Sequence, residues 1–272
     1  MHPFPHRLPK AALAWLLCAM AGSAGAHDTW FERLPSARPG ELRLALGTGN
    51  RFPVHEFGVS TASLRESGCR IHTQTPRVAP LKTVRETPHA LIVRAQAQPT
   101  AAVTCWAQQE PFEVEISPPI VEVYFKEINA PQPVRAAWAE MRARGVTWKE
   151  RFSKHARIEL AGRNRGSPAP QPTPMAMDVL LQSGLQAVRV GDALQFQVLR
   201  DGQPLPGLAV ELHSDQSPLG FWKQTDAHGR VSFTPPLAGR WVLRGTDLRP
   251  STTVPDTWES RFVTLAFEVA SP

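Results

Sequence analysis

Glu41-Leu42-Arg43-Leu44-Ala45-Leu46 alternates strictly. Leu42, Leu44 and Leu46 point one way, Arg43 and Ala45 the other, which is the signature of a half-buried strand. Gly47-Thr48-Gly49-Asn50 comes next with turn chemistry and is expected to end it. Further short strands are read at Arg70–Thr73, His89–Arg94, Ala102–Trp106 and Phe112–Ile116. Short strands separated by polar breaks predict a β-sandwich over residues 27–161.

The pattern returns near the other end of the chain. Leu194, Phe196 and Val198 alternate with Gln195 and Gln197. Asp201-Gly202 and Asp226-Ala227-His228-Gly229 read as tight turns, and Val231, Phe233, Trp241, Leu243, Val263, Leu265, Phe267 and Val269 continue the inward face. About seven strands over residues 177–272 predict an immunoglobulin-like sandwich. The segment has no internal cysteine pair, so it is not of the antibody type. Between the halves, residues 162–176 are rich in proline and glycine and read as a linker stiffened toward polyproline II. The fold class expected is mainly β: two β-sandwich domains with a helical hairpin between them.

That hairpin is placed near 131–158. Val134, Trp138 and Met141 share a helical face, and Gly145 ends the helix. Thr147-Trp148-Lys149-Glu150 matches a capping box, predicting a second helix with Trp148, Phe152 and His155 on one face.

Residues 1–26 read as an export signal. Arg7 and Lys10 precede the apolar run Ala11–Ala21, and Ala24-Gly25-Ala26 is a small-residue cleavage site. The run is too short for a resident membrane span. Cys18 comes after Leu17, too large a residue for a lipobox, so no lipid anchor is expected. Cleavage after Ala26 makes the expected location periplasmic and the mature N-terminus His27. Cys69 and Cys105 remain, an even count that predicts a disulfide in an oxidising compartment. On the chain-entropy account it stabilises the fold by roughly 3–4 kcal/mol.

Without Arg7 and Lys10, 28 basic residues face 24 acidic ones. The basic residues are scattered and not interleaved with aromatics, so nucleic acid is not an expected partner. No Gly-x-Ser-x-Gly elbow, Gly-rich phosphate loop, His-x-His, H-E-x-x-H or C-x-x-C is present, and no enzymatic activity is expected.

What remains is His27. A free α-amine with pKa near 8 and an imidazole near 6.5 on one residue can both lose a proton to a metal near neutral pH. Such a two-nitrogen chelate suits Ni(II), Co(II) or Cu(II). Further donors would have to come from distant positions. His55 lies in a loop, and His155 lies on the apolar face of the expected second helix.

Five pieces also carry a resemblance: Ala26-His27-Asp28-Thr29-Trp30-Phe31, Glu150-Arg151-Phe152-Ser153-Lys154, Thr225-Asp226-Ala227-His228-Gly229-Arg230, Gly239-Arg240-Trp241, and Trp258 through Phe267. Together they resemble the DUF4198 family of exported bacterial proteins, often labelled accessory parts of nickel or cobalt uptake. The resemblance implies a periplasmic transition-metal-binding protein whose partner is a metal-uptake transporter in the membrane. Many members have a His after the Gly-Arg-Trp strand where this chain reads Gly245-Thr246-Asp247, which makes Asp247 a further candidate ligand. The alternatives are a copper enzyme with a histidine brace, or a two-domain binding protein without metal.

Overall fold

The computed structural model describes residues 27–36, 38–97, 100–162, 169–184 and 186–272. The signal segment and its cleavage site lie outside them. In chain order the elements are β1 (Asp28–Leu34), β2 (Glu41–Gly49), β3 (Phe57–Gly58), β4 (Leu64–His72), β5 (Arg77–Ala79), β6 (Lys82–Glu86), β7 (Leu91–Gln96), β8 (Ala102–Gln109) and β9 (Phe112–Ile116). Helices α1 (Pro118–Glu127) and α2 (Gln132–Ala143) come next. Then come β10 (Trp148–Leu160), β11 (Met177–Leu181), β12 (Val188–Arg189), β13 (Leu194–Arg200), β14 (Gln203–Pro204), β15 (Ala209–Ser214), β16 (Phe221–Gln224), β17 (Arg230–Phe233), β18 (Gly239–Pro250) and β19 (Trp258–Ala270).

The protein is mainly β: two sandwiches, the second immunoglobulin-like, with a helical hairpin. Both sandwiches use one ten-stranded sheet of order β16-β15-β18-β19-β10-β8-β4-β5, with β9 on β10 and β12 on β19. A five-stranded sheet (β1-β2-β7-β6, with β3 on β2) covers part of it, and a four-stranded sheet (β11-β13-β14, with β17 on β13) covers another part. The join is the parallel pair β10–β19, which sets Glu150 opposite Trp258 and Ile158 opposite Ala266. Alternation along β19 then serves both cores. Ala266 packs with Phe31, Leu44, Leu46 and Ile71 in the first core. Leu265 and Phe267 pack with Phe196, Val198 and Leu243 in the second. A strand buried on both faces reads as a continuous apolar run, as Phe262–Phe267 largely does.

Two sequence expectations need correction. Strand β2 does not end at Gly47: it continues to Gly49, with Trp30 opposite Gly47 and Asp28 opposite Gly49. The second expected helix does not form. Residues Trp148–Leu160 are the thirteen-residue strand β10. Its period is two: Trp148 joins the core beneath the helices, Ala156, Ile158 and Leu160 enter the first sandwich, and Arg157 and Glu159 turn to the other face. Glu150 caps nothing. It is buried and accepts hydrogen bonds from Trp148 Nε1 (2.9 Å), Tyr124 Oη (3.0 Å) and Ser260 Oγ. Strand partners on both sides satisfy the backbone of β10, which outweighs the weak local helix signal.

The hairpin lies at 118–143 instead. α1 starts with two prolines in its first turn, which lack only N–H groups that would be orphaned anyway. Val121, Tyr124, Phe125 and Ile128 form its inner face, with Val134 and Trp138 from α2, over Trp148, Trp258 and Phe262. The Trp148 and Trp258 rings stack at 4.6 Å.

Cys69 and Cys105 are bonded, directly opposed on β4 and β8 and fully buried. The described part of the expected linker is clamped: Arg70 donates to the carbonyls of Gln171 and Pro172 (3.2 and 3.1 Å). Arg157, wholly buried, binds Glu159 through Nε (2.7 Å) and Asp178 through Nη1 (2.9 Å).

Candidate metal site at the start of the first strand

His27 immediately precedes β1, and that strand is firmly held. Thr29 and Thr48 hydroxyls meet at 2.7 Å, Thr264 Oγ1 donates to the Thr29 carbonyl (2.6 Å), and Phe31 enters the first core. The His27 ring meets Phe57 edge-on at 5.2 Å, and its Nε2 lies 3.7 Å from Glu56 Oε2. Glu56 is held there because its backbone N–H donates to the Thr48 carbonyl (2.8 Å) as β3 joins β2.

Asp28 is buried and ion-pairs with Arg244 of β18 at 2.7 Å. Arg244 also grips Glu211 through Nε (3.0 Å) and Nη2 (2.6 Å), and Glu211 lies 3.0 Å from His213 Nε2. Burial opposes the Arg244 charge, but Asp28 and Glu211 outweigh it and raise its pKa. Further along β1, Glu32 pairs with Arg240 of the same strand β18. Trp30 lies between these two pairs, beside Val242, at a small cavity of about 50 Å³. Lys154, half-buried, points at the Phe152 and Phe262 rings (5.6 and 6.0 Å). Burial lowers its pKa to about 8, against the pull of Asp28.

The structure gives the other three sequence candidates different settings. His55 packs on Trp30 (ring centroids 5.0 Å) and over Gly47, where a Cβ would stand 2.4 Å from the His55 ring. Burial lowers its pKa to about 4 despite a hydrogen bond with the Trp30 backbone. His155 is on the face of β10 opposite Lys154. Its Nδ1 donates to the Phe262 carbonyl (2.9 Å), and its electrostatic neighbours are Arg261, Asp178 and Asp201. Asp247 is on the face of β18 opposite Arg244, taken by Arg200 and by Arg249 (2.9 Å). The ten-stranded sheet therefore separates both His155 and Asp247 from His27. Among the described residues, no group of three or more His, Cys, Asp or Glu is arranged to hold a metal.

Sequence reasoning missed the arginines. A signal existed: Asp28-x-Trp30-x-Glu32 and Arg240-x-Val242-x-Arg244 carry opposite charges at the same spacing of four. It becomes legible only once β1 is known to pack on the shared sheet within side-chain reach of β18.

Fold and site define a two-sandwich β protein whose first strand ties one half to the other. The chain belongs to the DUF4198 family, a domain of unknown function, which matches residues 24–246. No match is found among curated proteins. Among solved structures, the D0-D1 domain of Intimin matches at 11% identity, covering 89% of this chain and 97% of that one, with a TM-score of 0.19. A likeness of that degree carries no argument about function.

Proposed function

We propose that this protein is a periplasmic transition-metal-binding accessory protein, serving nickel or cobalt uptake, with the mature N-terminal His27 as its ligand residue. The observation that carries the reading is the placement of His27: it precedes a buried, ion-paired strand residue, and its Nε2 faces Glu56 at 3.7 Å. Removal of residues 1–26 would free the α-amine at this point. The amine and Nδ1 of one histidine close a chelate ring around a metal ion. A carboxylate behind the other ring nitrogen is the usual means of orienting a ligating imidazole and raising its basicity. The donors fit a terminal chelate rather than a cage of side chains, and the membrane transporter would be the partner that takes up the ion.

The test compares processed protein with a variant carrying one extra residue before His27, which keeps every side chain but separates amine from imidazole. Calorimetric titration with Co(II), Ni(II) and Cu(II) should show affinity rising in that order for the processed protein and collapsing for the extended one. Equal affinities for the two proteins would sink the proposal. N-terminal sequencing of exported protein checks its premise, a start at His27.

A further inference from the structure

We infer that the Asp28–Arg244 ion pair is a positioning device for His27, so that the second sandwich sets the geometry of the mature N-terminus in the first. The inference rests on the reading of His27 as a metal ligand and adds Arg244, which none of the motifs carrying the resemblance contains.

The α-amine and the imidazole both hang from the His27 Cα, one peptide bond from Asp28. On one side, the Asp28 backbone pairs with Gly49 in the β1–β2 ladder. On the other, its carboxylate is held at 2.7 Å by Arg244. Arg244 is not free to track a moving terminus, because Glu211 holds two of its nitrogens. The residue next to His27 is thus fixed from both halves of the molecule, and the chelating atoms leave a rigid point. A site held within a fraction of an ångström by supporting groups binds better than one whose terminus must be ordered on binding.

The same strand supplies a control. Glu32–Arg240 is a second pair between β1 and β18, with Arg240 also held by Asp215 at 2.9 Å. Four residues of strand place it roughly 13 Å from Asp28. Breaking it loosens the contact between the halves without loosening His27.

The experiment uses the processed full chain and three variants: Arg244→Gln, Asp28→Asn, which removes the same pair from the other side, and Arg240→Gln. Each is titrated with Cu(II) and Ni(II), and the Cu(II) complex is examined by electron paramagnetic resonance. Arg244→Gln and Asp28→Asn should each weaken binding about tenfold or more and change the copper hyperfine splitting, as loss of a supporting partner does. Arg240→Gln should keep wild-type affinity and spectrum. Wild-type behaviour of whichever Asp28–Arg244 variant folds, or an equal loss in Arg240→Gln, overturns the inference. A wild-type protein that binds no metal refutes the ligand reading instead. In that event aminopeptidase removal of His27 from metal-free protein decides: it should be faster for Arg244→Gln than for Arg240→Gln, and equal rates overturn the positioning role.

Discussion

Glu56 and His155 show how differently two residues near the same sheet depend on their surroundings. Glu56 is a loop carboxylate whose value lies in where its backbone is pinned. Glu56→Gln keeps that pinning and removes the charge behind the His27 ring, so metal affinity should fall about tenfold with the melting temperature unchanged. Titration calorimetry alongside thermal unfolding checks both halves of that statement. His155 is 1% exposed, and burial lowers its pKa to about 4, opposed by its bond to the Phe262 carbonyl and aided by Arg261. The folded state therefore resists a proton that the unfolded chain accepts from pH 6.5 downward. Its contribution to stability is present above pH 6.5 and is lost as pH falls toward 4. At about 1.4 kcal/mol per pH unit this amounts to on the order of 3 kcal/mol. His55 and His72, also lowered to about 4 by burial, add to the loss in the same window. Denaturant unfolding at pH 7 and pH 4.5 should show the fall, and His155→Gln should make it shallower.

At the scale of elements, β10 decides between two readings of one stretch. If Thr147 capped a helix, Thr147→Ala would cost about 1 kcal/mol. As the residue before a strand it should lie within about 0.5 kcal/mol of wild type. Trp148→Ala, by contrast, removes a fully buried ring stacked on Trp258 and should cost about 3–5 kcal/mol. The β4–β8 pair offers a second test. Cys69 and Cys105 close a loop of sequence separation 36. Cys69→Ser should lower stability by about 2–5 kcal/mol, and thiol counting under denaturing, non-reducing conditions should find no free thiol in processed wild-type protein.

For the molecule as a whole, the shared ten-stranded sheet makes the two sandwiches energetically one. Strand β19 pairs with β18 of the second half and β10 of the first and contributes side chains to both cores. Calorimetry should therefore record one unfolding transition rather than two. Arg157 is where the halves meet electrostatically, with Glu159 from one and Asp178 from the other. Arg157→Leu leaves two buried carboxylates without their cation, a change that typically costs 3–5 kcal/mol, about as much as a large core truncation. The same single transition should move to lower temperature, with no second transition separating from it.

Local chemistry determined what was legible in the sequence. The alternation of Leu42, Leu44 and Leu46 and of Leu194, Phe196 and Val198 is written residue by residue, and all six point into cores. The Asp201-Gly202 turn needs only two residues with positive φ, and has them. Helix α2 was readable from Val134 and Trp138, and the cysteine pair from its count. The tertiary structure alone decided the rest, because it depends on partners far along the chain. Helix or strand for Trp148–Leu160 was settled by β8, β9 and β19, which supply its ladder bonds. The side of the sheet taken by His155 and Asp247 was settled by one-residue alternation within strands whose pairing no local pattern states. The setting of His27 was decided in the same way: Glu56 reaches it through the β2–β3 pairing, and Arg244 reaches its neighbour Asp28 only because β1 packs on the shared sheet within reach of β18.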